Sequence, residues 1–562
     1  MIDRFSIVTL VLFAISIYFV ISPVSLPVPL SRRIFKRPLR LRIDLITAPF
    51  AAVCILWASG CIDSTVVRDG IVGTDGIKPY NILILFFSLA YMAVSLDLSG
   101  VLQAAAFWVS NKGGSNGWRL FLYFYLMLTA FSVVVGNDPV ILSGTAFLVY
   151  YTKVAEVSHI SWLFSEFAAA NTASMVLFVG NPTNVVICEG FGIRNIAFSA
   201  YTIFPFIACS IVCYFALAVQ FRHDKYIPKR LPEIGVLDPR SVLLDPTGAW
   251  VGSIILGACL VLIMGISFID VDVWEISLPF AVAKFVFDIG WDLYRHSRGT
   301  LGAQATSAGT GKPGGAPEDL MRTQIERTKT ETSHHHHPNP DDPLRAALER
   351  SHSEATQHHS ALSSRPQSQR SQDSRRFGAL RSWLDERIPT FMTALPRLPF
   401  ALVPFAFCQF ILVEALAFRG WIDVFARWLQ RASHGGQPYP TIWLIGTLGV
   451  VLCNLSGTNI GATILLTKVL RAAELSKQAT LAGAVALAVA SNIGAVSFTF
   501  SASLAGLLWR AILKQKGITM SQRQFAQWNV LPVTVMTVAG LGVVCAEVAV
   551  IIRAGLAGVN DP

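Results

Sequence analysis

The stretch "SVVVGNDPVILSG", residues 132–144, sets Asn137, Asp138 and Pro139 in the middle of a long apolar run. A helix interior does not take these residues cheaply. Proline removes a backbone hydrogen bond, and a carboxylate in hydrocarbon costs about 3 kcal/mol on insertion scales. In a soluble protein they would mark only the junction of two ordinary helices. Composition decides between the readings. Of 562 residues, 53% are hydrophobic and 14% charged, against about 25% charged in soluble domains. The runs 5–21, 44–62, 80–98, 249–269 and 530–552 each approach spanning length. The chain reads as an all-α polytopic membrane protein, and "GNDP" as a break at membrane depth. Irregular backbone is tolerated there only where protein buries it or where it lines a wet cavity.

The formal net charge of +10 does not point to nucleic acid, because most basic residues lie in loops and act as topology signals. The nine cysteines show no paired spacing; Cys209, Cys213 and Cys259 fall in apolar runs and read as small core residues. The first apolar run has no small-residue cleavage site before "SRRIFKRPLRLR" (31–42) and reads as a retained helix. No zinc motif, nucleophile elbow or nucleotide loop is present, so neither an enzyme nor a cofactor is expected. Residues 291–390 are rich in Ser, Gln, Arg and His and bury too little apolar surface to fold, so they read as a disordered linker. The run His334–His337 within them reads as low-complexity sequence rather than a metal site.

The linker divides two membrane halves, 1–290 and 391–562, that resemble each other. The first reads "GNDPVILSGTAFLVYYTK" (136–153), "AANTASMVLFVGNPTN" (169–184), "GFGI" (190–193), then Pro205. The second reads "CNLSGTNIGATILLTKVL" (453–470), "ASNIGAVSFTFSAS" (490–503), "QKGI" (515–518), then Pro532. Features shared in order, at similar spacing, point to an internal duplication.

Loop charge orients the halves. Arg32, Arg33, Lys36, Arg37, Arg40 and Arg42 mark a cytoplasmic loop, and Asp63, Asp69 and Asp75 an outer one. Walking onward, 119–152 is a re-entrant hairpin from the cytoplasm, 162–189 a broken crossing helix, 441–470 a hairpin from outside and 480–511 a second broken helix. The result is an inverted repeat of about ten spanning helices, two hairpins and both termini outside, with the linker cytoplasmic.

In inverted-repeat transporters, broken helices meet near the midplane; their N-termini face anions, and unwound carbonyls and C-termini bind cations. Four breaks are expected, at 136–139, 180–184, 453–459 and 499–503, all rich in polar residues without fixed charge. The candidate substrate or ion ligands are Asn137, Asp138, Asn171, Thr172, Asn181, Thr183, Asn184, Asn454, Thr458, Asn459, Asn492, Thr499, Ser501 and Ser503. Asp138 is the acid at a hairpin tip. It reads either as a proton carrier or as a cap of the half-helix starting at Pro139. Glu166 and Glu414 sit near predicted helix ends and read as reaching water.

These residues carry a resemblance. "FSVVVGNDPVIL" (131–142), "AANTAS" (169–174), "LPRLPFALVPF" (395–405), "SFTFSASLAGLLW" (497–509) and "KGITMS" (516–521) resemble the arsenical-pump membrane proteins of the ion transporter superfamily. "GNPTN" (180–184) is similar to the Gly-Thr-Pro-Pro-Asn break of the citrate-transporter-like divalent anion symporters. The tips Gly136-Asn137-Asp138 and Cys453-Asn454-Leu455 depart from those symporters' Ser-Asn-Thr. Asn171 and Asn492 stand where the arsenical pumps carry aspartate. The resemblance implies a secondary transporter of a small anion or oxyacid, built from scaffold helices and a transport part, coupled to H+ or Na+ and forming a homodimer. Its surroundings would be the lipid bilayer, more in the plasma membrane than in an internal one. A cation/proton antiporter of the same fold, or a non-transporting receptor or scaffold, are the alternatives.

Overall fold

The computed structural model describes residues 2–27, 40–232, 236–265, 271–299 and 381–553. Arg32, Arg33, Lys36, Arg37, His334–His337 and residues 300–380 of the expected linker lie outside these residues.

The first half opens with α1 (Arg4–Ile21), a two-stranded antiparallel ribbon of β1 (Val24–Pro27) and β2 (Arg40–Ile43), and α2 (Thr47–Ala58). The ribbon is the one departure from an all-helical chain among the described residues. The expected span 44–62 is not realised, because α2 has only 12 residues, too few to cross hydrocarbon. After it the chain turns into α3 (Ser64–Val72), started by Asp63, whose carboxylate accepts from Thr65 N and Val66 N at 3.0 Å. Then come α4 (Pro79–Leu98), α5 (Val101–Gly113), α6 (Gly117–Val135), α7 (Asn137–Val154), α8 (His159–Ala173), α9 (Pro182–Phe191), α10 (Asn195–Gln220), α11 (Pro246–Gly265) and α12 (Val273–Ser297).

The second half carries α13 (Pro389–Ala394), α14 (Leu402–Phe418), α15 (Trp421–Ala432), α16 (Pro438–Leu455), α17 (Asn459–Ala472), α18 (Lys477–Ala495), α19 (Leu504–Gln515) and α20 (Gln522–Arg553). The linker boundaries move inward: α12 runs through Ser297, and its Asp292 accepts from Thr390 N at 2.8 Å and from Thr390 Oγ1 at 3.0 Å.

Nine helices among the described residues are long and apolar enough to cross a membrane, hairpin arms α6 and α16 included. The outer helices expose Phe204, Phe215, Trp250, Val261 and Val538, an apolar surface that belongs against lipid. The two halves repeat one order of elements: a helical hairpin (α6–α7, α16–α17), a broken helix (α8–α9, α18–α19) and a long closing helix (α10, α20). The halves also interleave. Phe164 and Phe167 of α8 pack on Trp509 of α19 with ring centroids 5.4 and 5.0 Å apart, and on Phe525 of α20 at 6.0 and 5.5 Å. Edge and tilted aromatic pairs of this kind stabilise beyond their buried area, by about 0.5–1.5 kcal/mol each.

Candidate functional site

The breaks exist, at shifted positions. The first hairpin turns at Gly136 alone, whose φ of +85° suits glycine. Helix α7 begins at Asn137, so Asp138 and Pro139 lie inside its first turn rather than in an unwound segment. Proline is at home there, because its missing N–H has no helical partner to lose. The second hairpin turns at Ser456–Thr458 around Gly457 (φ +84°); Asn454 lies in the last turn of α16, Thr458 caps α17 through Gly461 N at 3.3 Å, and the buried Asn459 starts it. The broken helices unwind over residues 174–181 and 496–503, earlier than the sequence suggests. Each break contains a single 3-10 turn, Phe178–Gly180 and Phe500–Ala502, and closes on a capping residue. Asn181 accepts from Thr183 N at 3.2 Å, and Ser503 from Gly506 N at 3.0 Å.

Asparagine amides span these breaks. Asn492, fully buried on α18, is the hub. Its Oδ1 accepts from Ser174 Oγ at 2.8 Å and from Asn181 Nδ2 at 3.2 Å, and its Nδ2 donates to Asn184 Oδ1 at 2.9 Å. Asn184 Nδ2 in turn donates to the Ser174 and Leu177 carbonyls, both at 2.9 Å. Ser491 Oγ donates to Thr183 Oγ1 at 3.2 Å. The unwound first break is thus held by the unbroken part of the opposite half. Position matters more than residue type here. Asn171, the repeat partner of Asn492, stays within its own half; its Oδ1 accepts from Asn137 Nδ2 at 3.2 Å and its Nδ2 donates to Phe167 O at 2.8 Å.

The second break is held differently. Asn454 Oδ1 accepts from Phe498 N (3.0 Å), Thr499 N (2.9 Å) and Thr499 Oγ1 (3.0 Å), while its Nδ2 donates to Ser497 Oγ at 2.6 Å. Ser501 Oγ donates to Thr499 Oγ1 at 3.4 Å, and Ser503 Oγ to Ala495 O at 3.2 Å. Thr172 is turned away, with its hydroxyl 3.4 Å from Met536 Sδ on α20. Asp138 is half-buried at the N-terminal end of α7 and makes no hydrogen bond or ion pair among the described residues. The capping bond expected of it is not formed.

Sequence reasoning missed Ser174, Ser491 and Ser497, common residues that only three-dimensional contact singles out. It also missed a charged cluster where α12 meets α4. Lys284 and Asp288 form a buried ion pair; Lys284 Nζ donates to Ser95 Oγ at 2.7 Å, and Asp288 accepts from Tyr91 OH at 2.9 Å and Ser95 Oγ at 2.6 Å. Asp97 accepts from Ser143 of the hairpin helix α7 and lies 3.4 Å from Arg397. The i, i+4 spacing of Lys284, Asp288 and Asp292 in an apolar run was the available signal. Glu414 pairs with Lys468 at 2.6 Å.

The sequence model of the citrate transporter family, CitMHS, matches residues 34–296. The arsenical pump membrane protein of Escherichia coli K12 is 26% identical over 210 residues, 37% of this chain and 48% of that protein. The arsenical pump membrane protein of Yersinia enterocolitica is 27% identical over 213 residues, 36% and 49% of the respective chains. The chain is similar over these stretches to citrate transporters and arsenical pump membrane proteins. It spans about half the length of the curated relatives it matches. Among solved structures, the YdaH transporter of Alcanivorax borkumensis aligns over 98% of both chains at 12% identity, with a TM-score of 0.42.

Proposed function

We propose that this chain is a secondary active transporter of a small anion or oxyacid, arsenite-like, inorganic or di- or tricarboxylate, as its similarity to citrate transporters and arsenical pumps suggests. It works by alternating access between its halves, 1–290 and 391–562, joined by a cytoplasmic linker within 291–390. The observation that carries the reading is the hub at Asn492, where one half clasps the unwound break of the other through Ser174, Asn181 and Asn184. Four half-helices, α7, α9, α17 and α19, start at the breaks, and a helix N-terminus offers free N–H groups and the positive end of a dipole to an anion. The amide network itself contains only uncharged groups. Such a lining binds a weakly charged or hydroxylated solute without trapping it, as a carrier requires. By the same family reading the protein is a homodimer in the plasma membrane coupled to H+ or Na+.

The test is reconstitution of the full chain into proteoliposomes and measurement of arsenite, phosphate and citrate flux under imposed H+ and Na+ gradients. Saturable flux of one of these supports the proposal. Sodium–proton exchange with no anion flux would favour an antiporter instead, and an inert protein a receptor or scaffold.

A further inference from the structure

Glu166 sits on α8, five residues before Asn171, with no accessible surface. Its Oε2 accepts from Thr145 Oγ1 of α7 at 2.9 Å, and its Oε1 has no hydrogen-bond partner. Gly144 makes the room: a Cβ there would lie 2.5 Å from Oε1. From the other half, the Trp509 indole of α19 lies within hydrogen-bonding reach of this carboxyl, and Trp509 Nε1 is buried without a formed hydrogen bond. Two unpartnered polar groups face each other across the boundary between the halves.

The following charged and titratable groups of the surrounding helices bond elsewhere or lie away from Glu166. Tyr125 of α6 donates to Ser210 O of α10, Cys209 of α10 to Met536 O, and Arg510 of α19 lies over the Phe500 ring. Lys477 of α18 and Glu547 of α20 line a separate groove. Asp138, at the start of α7, is two turns from Thr145. Among the described residues no cation forms an ion pair with Glu166.

An indole N–H only donates. If Oε1 carries a proton, its hydroxyl oxygen is a much weaker acceptor for Trp509 than a carboxylate oxygen, so the indole contact is weak in the acid form. If that proton leaves, the O–H electron pair stays on Oε1 and the carboxylate has two donors waiting, Thr145 O–H and Trp509 N–H. A buried polar atom without a partner is costly, so loss of the proton favours pairing of Trp509 N–H with Oε1.

We propose that Glu166 is the group of this transporter that takes up and releases a proton during its cycle. The acid form is held by Thr145 alone; the carboxylate form ties α8 to α19 through Trp509. The proton passes to water when the conformational change opens α8 to one face, and is regained from water at the other. This rests on the transport reading above and assigns its coupling group.

The test uses the full chain in proteoliposomes with arsenite and citrate as probes and a trapped pH indicator, beside infrared titration of the purified protein. Glu166→Gln keeps shape and cannot titrate. It should retain probe exchange at equal pH and lose the pH dependence of net uptake, which for one titrating group reaches about tenfold per unit. Trp509→Phe should move the midpoint of the pH profile toward alkaline pH, because the carboxylate loses a donor; it decides the matter if Glu166→Gln does not fold. A wild-type pH profile in Glu166→Gln, or an unmoved midpoint in Trp509→Phe, overturns the proposal. If the wild type moves neither probe, the transport reading fails separately and the infrared titration decides. A protonated-carboxyl band absent from Glu166→Gln, and lost from the folded wild type as pH rises, supports the assignment; a band unchanged over the whole folded range overturns it.

Discussion

Asn492 Nδ2 lies 2.9 Å from Asn184 Oδ1, and this contact joins a helix of the second half to the half-helix that follows the break of the first. An amide suits the place because it donates to one asparagine while accepting from Ser174 and Asn181. Asn492→Ala leaves Asn181 Nδ2 and Asn184 Oδ1 buried and unpaired, at about 1–3 kcal/mol each, whereas Ser174 Oγ keeps its bond to Asn171 O at 2.7 Å. We expect a large fall in thermal stability in detergent, and flux below that of the wild type at equal protein. Asn492→Asp keeps both acceptor bonds but sets a carboxylate against Asn184 Oδ1, so it should also destabilise.

Asp138 separates two roles that the sequence left open. It forms no capping bond, so only the favourable position of its charge at the start of α7 remains as a structural role. Asp138→Asn should fold and bind normally. Loss of the pH dependence of transport in this variant would assign Asp138 a titrating role; an unchanged profile leaves that role to Glu166.

The pair Lys284–Asp288 is buried on both sides, and single substitution strands a charge. Lys284→Met and Asp288→Leu should each cost about 3–5 kcal/mol, whereas the double variant should recover most of the loss. Thermal unfolding of the three proteins checks this non-additivity.

At the membrane edge Lys78 Nζ pairs with Asp272 at 2.8 Å, both side chains being over a third exposed. The hydrogen bond to Asp272 raises the Lys78 pKa. Burial alone would raise Asp272, and Lys78 more than offsets it, so Asp272 lies below its ordinary value of 3.8. Stability from the raised lysine is complete below its unfolded pKa and lost as pH climbs through the folded one. Stability from the lowered aspartate is complete above 3.8 and lost as pH falls through its folded value. The pair should therefore contribute evenly across neutral pH, and Lys78→Ala should cost at most about 1 kcal/mol at pH 7 because solvent screens it.

Deletion of residues 300–380 should leave flux nearly intact, since their composition gives them no apolar face to contribute to a membrane body. Equal flux per molecule in a well-expressed deletion checks this; complete loss would make the segment part of the transport machine.

The repeat, the helical class and the neighbourhood of the breaks were legible because each depends on local chemistry: apolar length, glycine at a turn, proline at a helix start. The breaks were misplaced by a few residues because Asn181 and Ser503 cap the following half-helix, so the polar signal marks the end of the unwound stretch rather than its middle. Pairing was not legible. Nothing local tells that Asn492 reaches across the halves while Asn171 binds its own hairpin tip, or that Thr172 turns to Met536. The Lys284 cluster was hidden by the apolar run around it, where a charge pair at i, i+4 reads as one helix face. The second span failed because the apolar run 44–62 contains Ser59 and Gly60, where α2 ends.

The central claim, two inverted halves meeting at their breaks, is tested most directly at the matched ends of the second hairpin arms. Lys153 near the end of α7 and Ala472 at the end of α17 are both exposed, and Cys54 is the exposed native cysteine among the described residues. In a Cys54→Ser background, Lys153→Cys and Ala472→Cys would each be challenged from either side of oriented membranes with a membrane-impermeant maleimide. The inverted arrangement predicts that Lys153→Cys labels only from the cytoplasmic side and Ala472→Cys only from the outer side. Labelling of both from one side would contradict it.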